Sequence, residues 1–179
     1  MLNLRELIVQ TNRLGKLEVV ELTAVQWQRY RKIRIASLKS DPDAFGANVE
    51  KTEAETQSDW ELRFEKVVPI VAVAEGIDSG ILTIENLSGD FGATCWIGGC
   101  WVDPEVRGRG VMRAMFNHLD LHALERDWKV QGLGVWQDNH AAIAVYESLG
   151  FESKGDPVPS TSKPGLFYQR MIRNAVTNY

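Results

Sequence analysis

The sequence predicts a single α/β domain in which helices cover the faces of a mixed, mostly antiparallel sheet. At 179 residues the chain has the length of one domain with one continuous core. Its first half contains apolar runs with two-residue alternation, separated by short glycine-bearing turns, and this pattern is typical of antiparallel strands. Its second half alternates strand-like and helix-like segments. That order indicates helices packed against a sheet.

The first half is predicted to contain four strands and two helices. A strand over 17–22 precedes a helix over 25–38, and the turn-forming segment 41–46 ends that helix. A more polar helix is predicted over about 51–66. The remaining strands are predicted over 70–74, 81–85 and 94–102. The last of these is expected to lie at the centre of the sheet.

The second half is predicted to begin with a helix over about 110–128, followed by a strand over 130–136 and a helix over 139–149. Two further strands are predicted, one near Phe151 and one over 166–172. The segment 153–165 is rich in proline, serine and glycine, and it is predicted to be a loop. No linker interrupts these elements, so we expect one domain over 1–179 with an N-terminal extension over 1–15.

Composition and charge exclude several classes of function. A formal net charge of −4 argues against a nucleic-acid partner, which a basic surface would bind through its phosphates. The N-terminal stretch has no uninterrupted apolar run and predicts neither a secretory signal nor a membrane span. The spacing of Cys95 and Cys100 matches no metal or redox signature, and we interpret both as reduced thiols. A cytoplasmic protein without a membrane partner is expected.

The stretch RGRGVMRAM places arginines and glycines where a strand ends and an amphipathic helix begins. A helix start leaves backbone N–H groups unpaired and carries partial positive charge, so it attracts anions. Gly108 and Gly110 permit a sharp turn, while Arg107, Arg109 and Arg113 offer charged donors. The junction therefore predicts a phosphate or pyrophosphate site, with a simple glycine turn and solvated arginines as the alternative. The P-loop and dinucleotide-binding patterns do not match it.

The segment VDPEVRGRGVMRAMF resembles the acetyl-CoA motif of the GNAT N-acetyltransferase superfamily, R/Q-x-x-G-x-G/A. The match covers Arg107 to Gly110. Met112 departs from the family pattern, which has glycine or alanine there, and its side chain is expected either to crowd the cofactor or to enter the core. The resemblance implies a GNAT-like fold with six to seven strands and a bulged, splayed central strand. It also implies an acetyl-CoA-binding core over 94–151.

A second segment, LGVWQDNHAAIAVYESLGF, resembles the family's other hallmark. The matching positions are Asn139, Ala142, Ile143, Tyr146, Gly150 and Phe151. Asn139 suits a helix N-cap, and Tyr146 follows two turns later on the same helical face. The resemblance implies that Asn139 contacts the pantetheine arm and that Tyr146 protonates the departing thiolate as general acid. A core tyrosine with no catalytic role is the alternative.

Gly98 and Gly99 lie in the middle of the predicted central strand, where glycine often marks a bulge. The resemblance implies that this bulge opens a slot for pantetheine, lined by the backbone of Cys100, Trp101 and Val102. The complete predicted cofactor-binding set is Trp101, Val102, Arg107, Gly108, Arg109, Gly110, Val111, Met112, Arg113, Asn139 and Tyr146. Acetyl-CoA is expected as co-substrate.

The implied reaction is direct transfer of an acetyl group from acetyl-CoA to a primary amine of a small molecule or a peptide. A central-strand N–H would stabilise the oxyanion. Glu85 is the candidate base and Glu50 an alternative, although each also fits a surface carboxylate. A covalent route through Cys100 is less favoured because no histidine has a visible sequence relation to it.

Other sequence features leave alternatives open. His118 and His122 are interpreted as surface or packing residues, because no carboxylate or cysteine completes a metal site with them, and no metal is expected. The segment 34–60 resembles the family's substrate mouth, where four acidic residues would attract a cationic amine or simply form a solvated face: Glu50, Glu53, Glu55 and Asp59. A non-catalytic CoA-binding sensor or scaffold, transfer of a longer acyl group, and a homodimer are the remaining alternatives.

Overall fold

The computed structural model describes residues 15–176, so the predicted N-terminal extension lies outside the described residues except at Gly15. One seven-stranded sheet runs through the molecule, with helices on its faces. The elements of the first half are β1 (Leu17–Glu21), α1 (Trp27–Ser40), α2 (Val49–Glu53), α3 (Gln57–Arg63), β2 (Val67–Ala74), β3 (Ile77–Asn86) and β4 (Cys95–Val102). Those of the second half are α4 (Val111–Leu121), α5 (Ala123–Arg126), β5 (Val130–Trp136), α6 (His140–Ser148), β6 (Glu152–Pro159) and β7 (Phe167–Asn174).

The strand order is β1-β2-β3-β4-β5-β7-β6, and β4 lies in the middle as predicted. Neighbouring strands are antiparallel except β4 and β5, which are parallel. A parallel pair needs a crossover connection, which here contains α4 and α5. The predicted fold class is confirmed.

Two hydrophobic clusters cover the two faces of the sheet. Phe116 and Met115 of α4 belong to one cluster, and Tyr30 of α1 and Trp60 of α3 belong to the other. Strands β2 and β3 contribute alternate residues to both clusters, so they are apolar on both faces. The central strands are thereby held rigidly between two helical layers. The loop that follows β4 begins at the end of these central strands.

Two predicted helices are each interrupted. The predicted helix over 51–66 is wrong as a single element, because Thr56 begins α3 with a capping box that includes Asp59. The predicted helix over 110–128 divides at His122, which has φ −101° and ψ 4°. In both cases a local hydrogen bond competes with continuation of the helix. The side-chain ring of His122 bonds the carbonyl oxygen of His118 at 2.8 Å.

The predicted loop over 153–165 is wrong in its first half. Residues 152–159 form β6, which pairs with β7 alone and is an edge strand of the sheet. Proline is tolerated on an edge strand because one side of the strand needs no ladder hydrogen bonds. The prolines had favoured a loop, but Pro157 and Pro159 are compatible with an edge strand such as β6. Across the described range, 15–176, no helix combines the length and apolar character that crossing a bilayer requires.

Candidate functional site

The centre of the sheet opens into a cleft between β4 and β5. Their parallel pairing runs only from Cys95 to Ile97, after which the strands separate. On its other edge, β4 shifts register against β3 between Ile81 and Thr83. Gly99 lies at this shift with φ +62°, a conformation that favours glycine. The predicted bulge and splay are therefore confirmed, and the edge of β4 that faces β5 has no strand partner beyond Ile97.

The loop after β4 ends in an open helix N-terminus. Gly110 is the N-cap of α4 with φ +87°, no side chain caps the helix, and Ala114 N–H makes the first helical bond to Gly110 at 2.9 Å. The amides of residues 111–113 consequently have no acceptor among the described residues. A Cβ at Gly108, where φ is +71°, would meet no atom within 4 Å. The loop is therefore open at Gly108, and unpaired amides at a helix start are donors that favour anions.

The three arginines of the junction have different environments. Arg107 donates from Nη2 to Asp41 at 2.6 Å and from Nε to the carbonyl oxygen of Val102 at 2.9 Å. Arg109 is exposed, and Arg113 reaches the carbonyl oxygen of Ser148 at 3.4 Å. Arg107 therefore braces the loop against the end of α1. The other two guanidinium groups carry no carboxylate partner within residues 15–176.

Asp41 is a functional candidate that the sequence did not single out. Its Oδ2 accepts from Trp101 Nε1 at 2.8 Å as well as from Arg107. Partial burial alone would raise the pKa of Asp41, but hydrogen bonds from Ser40, Arg107 and Trp101 lower it below its usual value. The sequence signal was only a turn residue after a helix. Because its two partners are distant in sequence, spacing could not reveal this role.

Met112 points into the protein interior. Its side chain is partly buried against the cluster that contains the core residues of α4. Of the two expectations for this residue, entry into the core is the one observed. The departure from the family pattern is therefore accommodated by packing.

The second predicted segment places Asn139 at the start of α6 and Tyr146 near its end. Asn139 is the N-cap, with Oδ1 accepting from Ala142 N–H at 3.1 Å. Tyr146 is only 9% exposed and packs edge-on against Phe116 and Phe151. Burial, chiefly, raises the pKa of Tyr146 well above 10, and the neighbouring Cys100 thiol adds to this rise. Burial also raises the pKa of Cys100 to about 11.

Two cavities meet at the β4 bulge, and Arg34 and Gly99 contact both. The first has a volume of about 230 Å³ and includes Glu85 and Thr83 in its wall. The second, of about 400 Å³, is lined by four aromatic side chains: Phe45, Trp96, Trp136 and Tyr168. Of the two candidate bases, Glu85 lines a cavity, whereas Glu50 is exposed on α2 and lines neither.

Arg34 is the second residue that the sequence analysis missed. It lies on α1 between Tyr30 and Leu38, which are both buried, so the three residues share one stripe of the helix. A charged residue on an otherwise apolar stripe was the available signal. In the structure its guanidinium reaches the cleft.

The expectation that no carboxylate lies near the two histidines of α4 and its end is wrong. Glu21 Oε1, on β1, lies 3.1 Å from His118 Nε2. One possible metal-ligating atom from each of Glu21, His118 and His122 lies within 4.8 Å of the other two. Arg126 binds the other oxygen of the Glu21 carboxylate. The sequence could not show this because β1 and α4 are far apart along the chain. Within the described part of the chain the group joins β1 to α4 and α5.

Comparison with known proteins places this geometry among acetyltransferases. The model of the acetyltransferase (GNAT) family matches residues 29–151, more than half of the chain. An uncharacterized N-acetyltransferase of Methanocaldococcus jannaschii is 41% identical over 54 residues, which are 30% of this chain. The match spans about a quarter, 24%, of that relative's length.

Solved structures similar to this one cover nearly the whole chain at low sequence identity. The acetyltransferase of GNAT family from Streptococcus pneumoniae has a TM-score of 0.71 and 14% identity, covering 90% of this chain and 100% of that chain. The ribosomal-protein-S5-alanine acetyltransferase of Vibrio fischeri has a TM-score of 0.70 and 14% identity, covering 89% and 93%. Spermidine N-acetyltransferase of Vibrio cholerae, solved with CoA and spermine, has a TM-score of 0.66 and 14% identity, covering 89% and 95%.

Proposed function

The chain belongs to the acetyltransferase (GNAT) family, and we propose that it is an enzyme that transfers an acetyl group from acetyl-CoA directly to a primary amine. The observation that carries this proposal is the run of unpaired amides at residues 111–113, which begins α4 just after β4 has separated from β5. An anion held there would place the rest of an extended ligand along the free edge of β4. A diphosphate attached to a thioester arm has that shape.

The cofactor-binding residues follow from the same geometry. In the proposed complex the backbone from Gly108 to Arg113 holds the diphosphate, and Arg109 and the Arg113 side chain add charge. Arg107 shapes the loop through Asp41. The backbone of Trp101 and Val102 borders the arm, because their strand has no neighbour on the β5 side. Asn139 fixes the start of α6 at the other wall of the cleft.

Acetyl-CoA, when bound, supplies an activated acetyl thioester. An N–H of the β4 edge donates to the oxygen that becomes negative as the amine attacks. Tyr146 keeps its proton at neutral pH because burial raises its pKa well above 10. Since an ordinary thiol titrates near 8.5, full proton transfer from this phenol to a thiolate is uphill. The phenol therefore acts mainly by hydrogen bonding to the developing charge on sulfur.

Glu85 is the proposed base for the acceptor amine. Most amines are protonated near neutral pH, so one proton must leave before attack. Glu85 lines the cavity next to the β4 bulge and makes no ion pair with another described residue within 15–176. A free carboxylate at this position accepts the proton directly or through water. Glu50 has no comparable access to the cleft.

The alternatives raised by the sequence lose support. A Cys100 thiol with a pKa of about 11 is almost wholly protonated at neutral pH, and the thiolate is the nucleophilic form. Direct transfer is therefore favoured over an acetyl-enzyme. The sensor or scaffold alternative depended on Met112, whose side chain packs against the core cluster. We further propose a cytoplasmic location and a reaction that needs no metal.

The proposal is tested by measuring CoA thiol release from acetyl-CoA across a panel of primary amines that includes polyamines, amino acids and peptides. The expected result is turnover with at least one class of amine, accompanied by the acetylated product in the mass spectrum. Polyamines are in the panel because one similar structure is a spermidine N-acetyltransferase. Tight CoA binding without acetylation of any amine would refute the enzyme and favour a binding domain.

A further inference from the structure

The guanidinium of Arg34 lies directly against the β4 bulge. A Cβ built on Gly99 would stand 3.3 Å from Arg34 Nη1, and Arg34 lines both cavities that meet there. The side chain is partly buried between the ring of Phe45, 4.6 Å from the guanidinium carbon, and the strand. Any acceptor that enters the cleft from this side passes the guanidinium.

Arg34 has no carboxylate counter-ion within residues 15–176, in contrast to most other arginines that reach the interior. Arg29, Arg63 and Arg173 each bind a carboxylate at 2.6–2.7 Å. Arg34 makes one long hydrogen bond, 3.3 Å, to the Ser37 hydroxyl. Burial lowers the pKa of Arg34, and the nearby Arg63 adds to this. A partly desolvated cation without a partner is costly, and an anionic ligand would remove that cost.

Three of the four acidic residues in the segment 34–60 that could attract a cationic amine are engaged with other groups. Glu55 forms a two-pronged pair with Arg63, and Glu53 binds Lys39. Asp59 belongs to the capping box of α3. The acidic residues that the sequence offered as an attraction for cationic amines are therefore neutralised or used structurally, apart from exposed Glu50. The first cavity also has Arg63, which is paired with Glu55, and the exposed Lys66 in its wall. Among the described lining residues, Glu85 is the one carboxylate, and Arg34 is the partly buried cation without a carboxylate partner.

We propose that Arg34 binds a carboxylate of the acceptor, so that the substrate is a small amino acid-like zwitterion. The inference rests on the proposed acetyl transfer and specifies its acceptor. The carboxylate would pair with the Arg34 guanidinium and the ammonium would face Glu85, the carboxylate of the first cavity. The acceptor side chain would enter the second cavity, whose wall is largely aromatic. An apolar or aromatic side chain fits that wall.

The test compares matched acceptors in wild type and three variants. Phenylalanine, leucine and other amino acids are each paired with their amide, with phenethylamine and spermidine as amines that lack a carboxylate. The variants are Arg34→Gln and, as matched control, Arg31→Gln, which removes an arginine of the same helix bonded only to the Glu53 carbonyl. The ratio of kcat/KM for acid to amide is measured in each. Arg34→Lys is a third, conservative variant.

In wild type the acid should be preferred over its amide by about 10- to 100-fold, the range expected for a charge-assisted hydrogen-bonded pair. Arg34→Gln should bring that ratio close to one, Arg34→Lys should keep part of the preference, and Arg31→Gln should leave it unchanged. A purely structural role for Arg34 would instead lower both rates equally and overturn the inference. Preference for spermidine or for the amide in wild type would also overturn it.

A second readout needs no turnover. With CoA bound, millimolar amino acid should raise the thermal midpoint of wild type more than its amide does, and this difference should vanish in Arg34→Gln. If amines are acetylated without any such discrimination, the proposed function holds and this inference fails. If the carboxylate dependence of binding is present but no amine is acetylated, the inference holds and the proposed reaction fails.

Discussion

At the residue scale, Tyr146 shows how one packing environment determines chemistry. The ring is fixed by Phe116 and Phe151, and its hydroxyl faces the Cys100 thiol at the central strand. The same burial that orients the phenol also keeps it protonated. Its proposed contribution is therefore a hydrogen bond to charge that exists only as the thiolate leaves. Such an interaction lowers the barrier without strengthening ground-state binding.

Tyr146→Phe tests this role. The change removes one hydroxyl and keeps the ring packing, so kcat should fall about 10- to 100-fold, as expected for a lost hydrogen bond to a charged group. The KM for acetyl-CoA should change little, and the thermal midpoint should stay near that of wild type. Steady-state kinetics and a thermal melt measure all three. An unaltered kcat would assign the tyrosine to the core alone.

At the element scale, the start of α4 is the feature on which cofactor binding depends. Gly108 and Gly110 give the loop backbone conformations with φ of +71° and +87°, and the amides of residues 111–113 that follow are unpaired among the described residues. The strand before the loop, the glycines and the helix after it were all predicted from the sequence. Arg107 was assigned to the anion, whereas the structure pairs it with Asp41. Spacing reveals local geometry but cannot reveal a partner from another element.

Gly108→Ala should weaken acetyl-CoA binding. The substitution strains the loop by about 1–2 kcal/mol because alanine resists positive φ, and relaxation would turn the amides away from the diphosphate. We expect the KM for acetyl-CoA to rise by roughly 3- to 10-fold, equivalent to about 1 kcal/mol. Gly150→Ala is the matched control, since Gly150 also has positive φ, +89°, and no atom within 4 Å of a built Cβ. It should lose similar stability with an unchanged KM, and equal KM effects in both variants would contradict the account.

The Glu21 carboxylate of β1, which binds His118 of α4 and Arg126 of α5, should make the free energy of unfolding depend on pH in the acid range. The pKa of Glu21 lies below 4.5 chiefly because His118 hydrogen-bonds to the carboxylate; partial burial opposes the shift and Arg126 supports it. A lowered folded-state pKa means stabilisation that is present above the unfolded-state pKa and lost as pH falls through the folded-state value. Glu21→Gln should therefore be less stable than wild type near pH 7.

The difference in unfolding free energy between wild type and Glu21→Gln should shrink as pH is lowered below 4. Urea denaturation at a series of pH values measures it. Glu18→Gln is the control, because Glu18 lies on the same strand in an exposed pair with Lys16. Exposed pairs contribute little. If the loss of unfolding free energy in Glu21→Gln does not change with pH, the Glu21 carboxylate is not the source of that loss.

At the scale of the whole molecule, a buried polar network ties α4, β5 and β7 together beneath the cleft. Arg173, 6% exposed, donates to Asp120 at 2.7 Å, to Gln131 at 2.8 Å and to the carbonyl oxygen of Leu149 at 2.9 Å. Burial raises the pKa of Asp120 and lowers that of Arg173, so desolvation opposes both charges. Each charge is tolerated only because the other is present.

Asp120→Ala should therefore be strongly destabilising. It leaves the Arg173 guanidinium buried without its counter-ion, which typically costs about 3–5 kcal/mol. That is a large fraction of the roughly 5–15 kcal/mol that stabilises a typical domain. Asp78→Ala breaks the more exposed pair with Arg29 and should cost about 1 kcal/mol or less. Urea denaturation measures both losses of unfolding free energy. Equal losses in the two variants would show that the buried Asp120–Arg173 pair contributes no more than the more exposed pair.

The sequence predicted the fold further than it predicted the site. The central strand, the strand over 130–136, the bulge glycines and the Asn139 cap were visible because each depends on local pattern. A strand was predicted near Phe151, but the extent of β6 over 152–159 was missed because edge pairing depends on a distant partner. Arg34 and Asp41 were missed for the same reason, since a charge becomes informative only when its surroundings are known. The acceptor side of the cleft is built mainly from such long-range contacts.

A crystal structure of the protein with CoA tests the central claim most directly. The account predicts diphosphate oxygens within hydrogen-bonding distance of the amides of residues 111–113, the arm along the unpaired edge of β4, and the sulfur beside the Tyr146 hydroxyl. CoA bound at another surface, or the loop at Gly108 closed over the helix start, would contradict it.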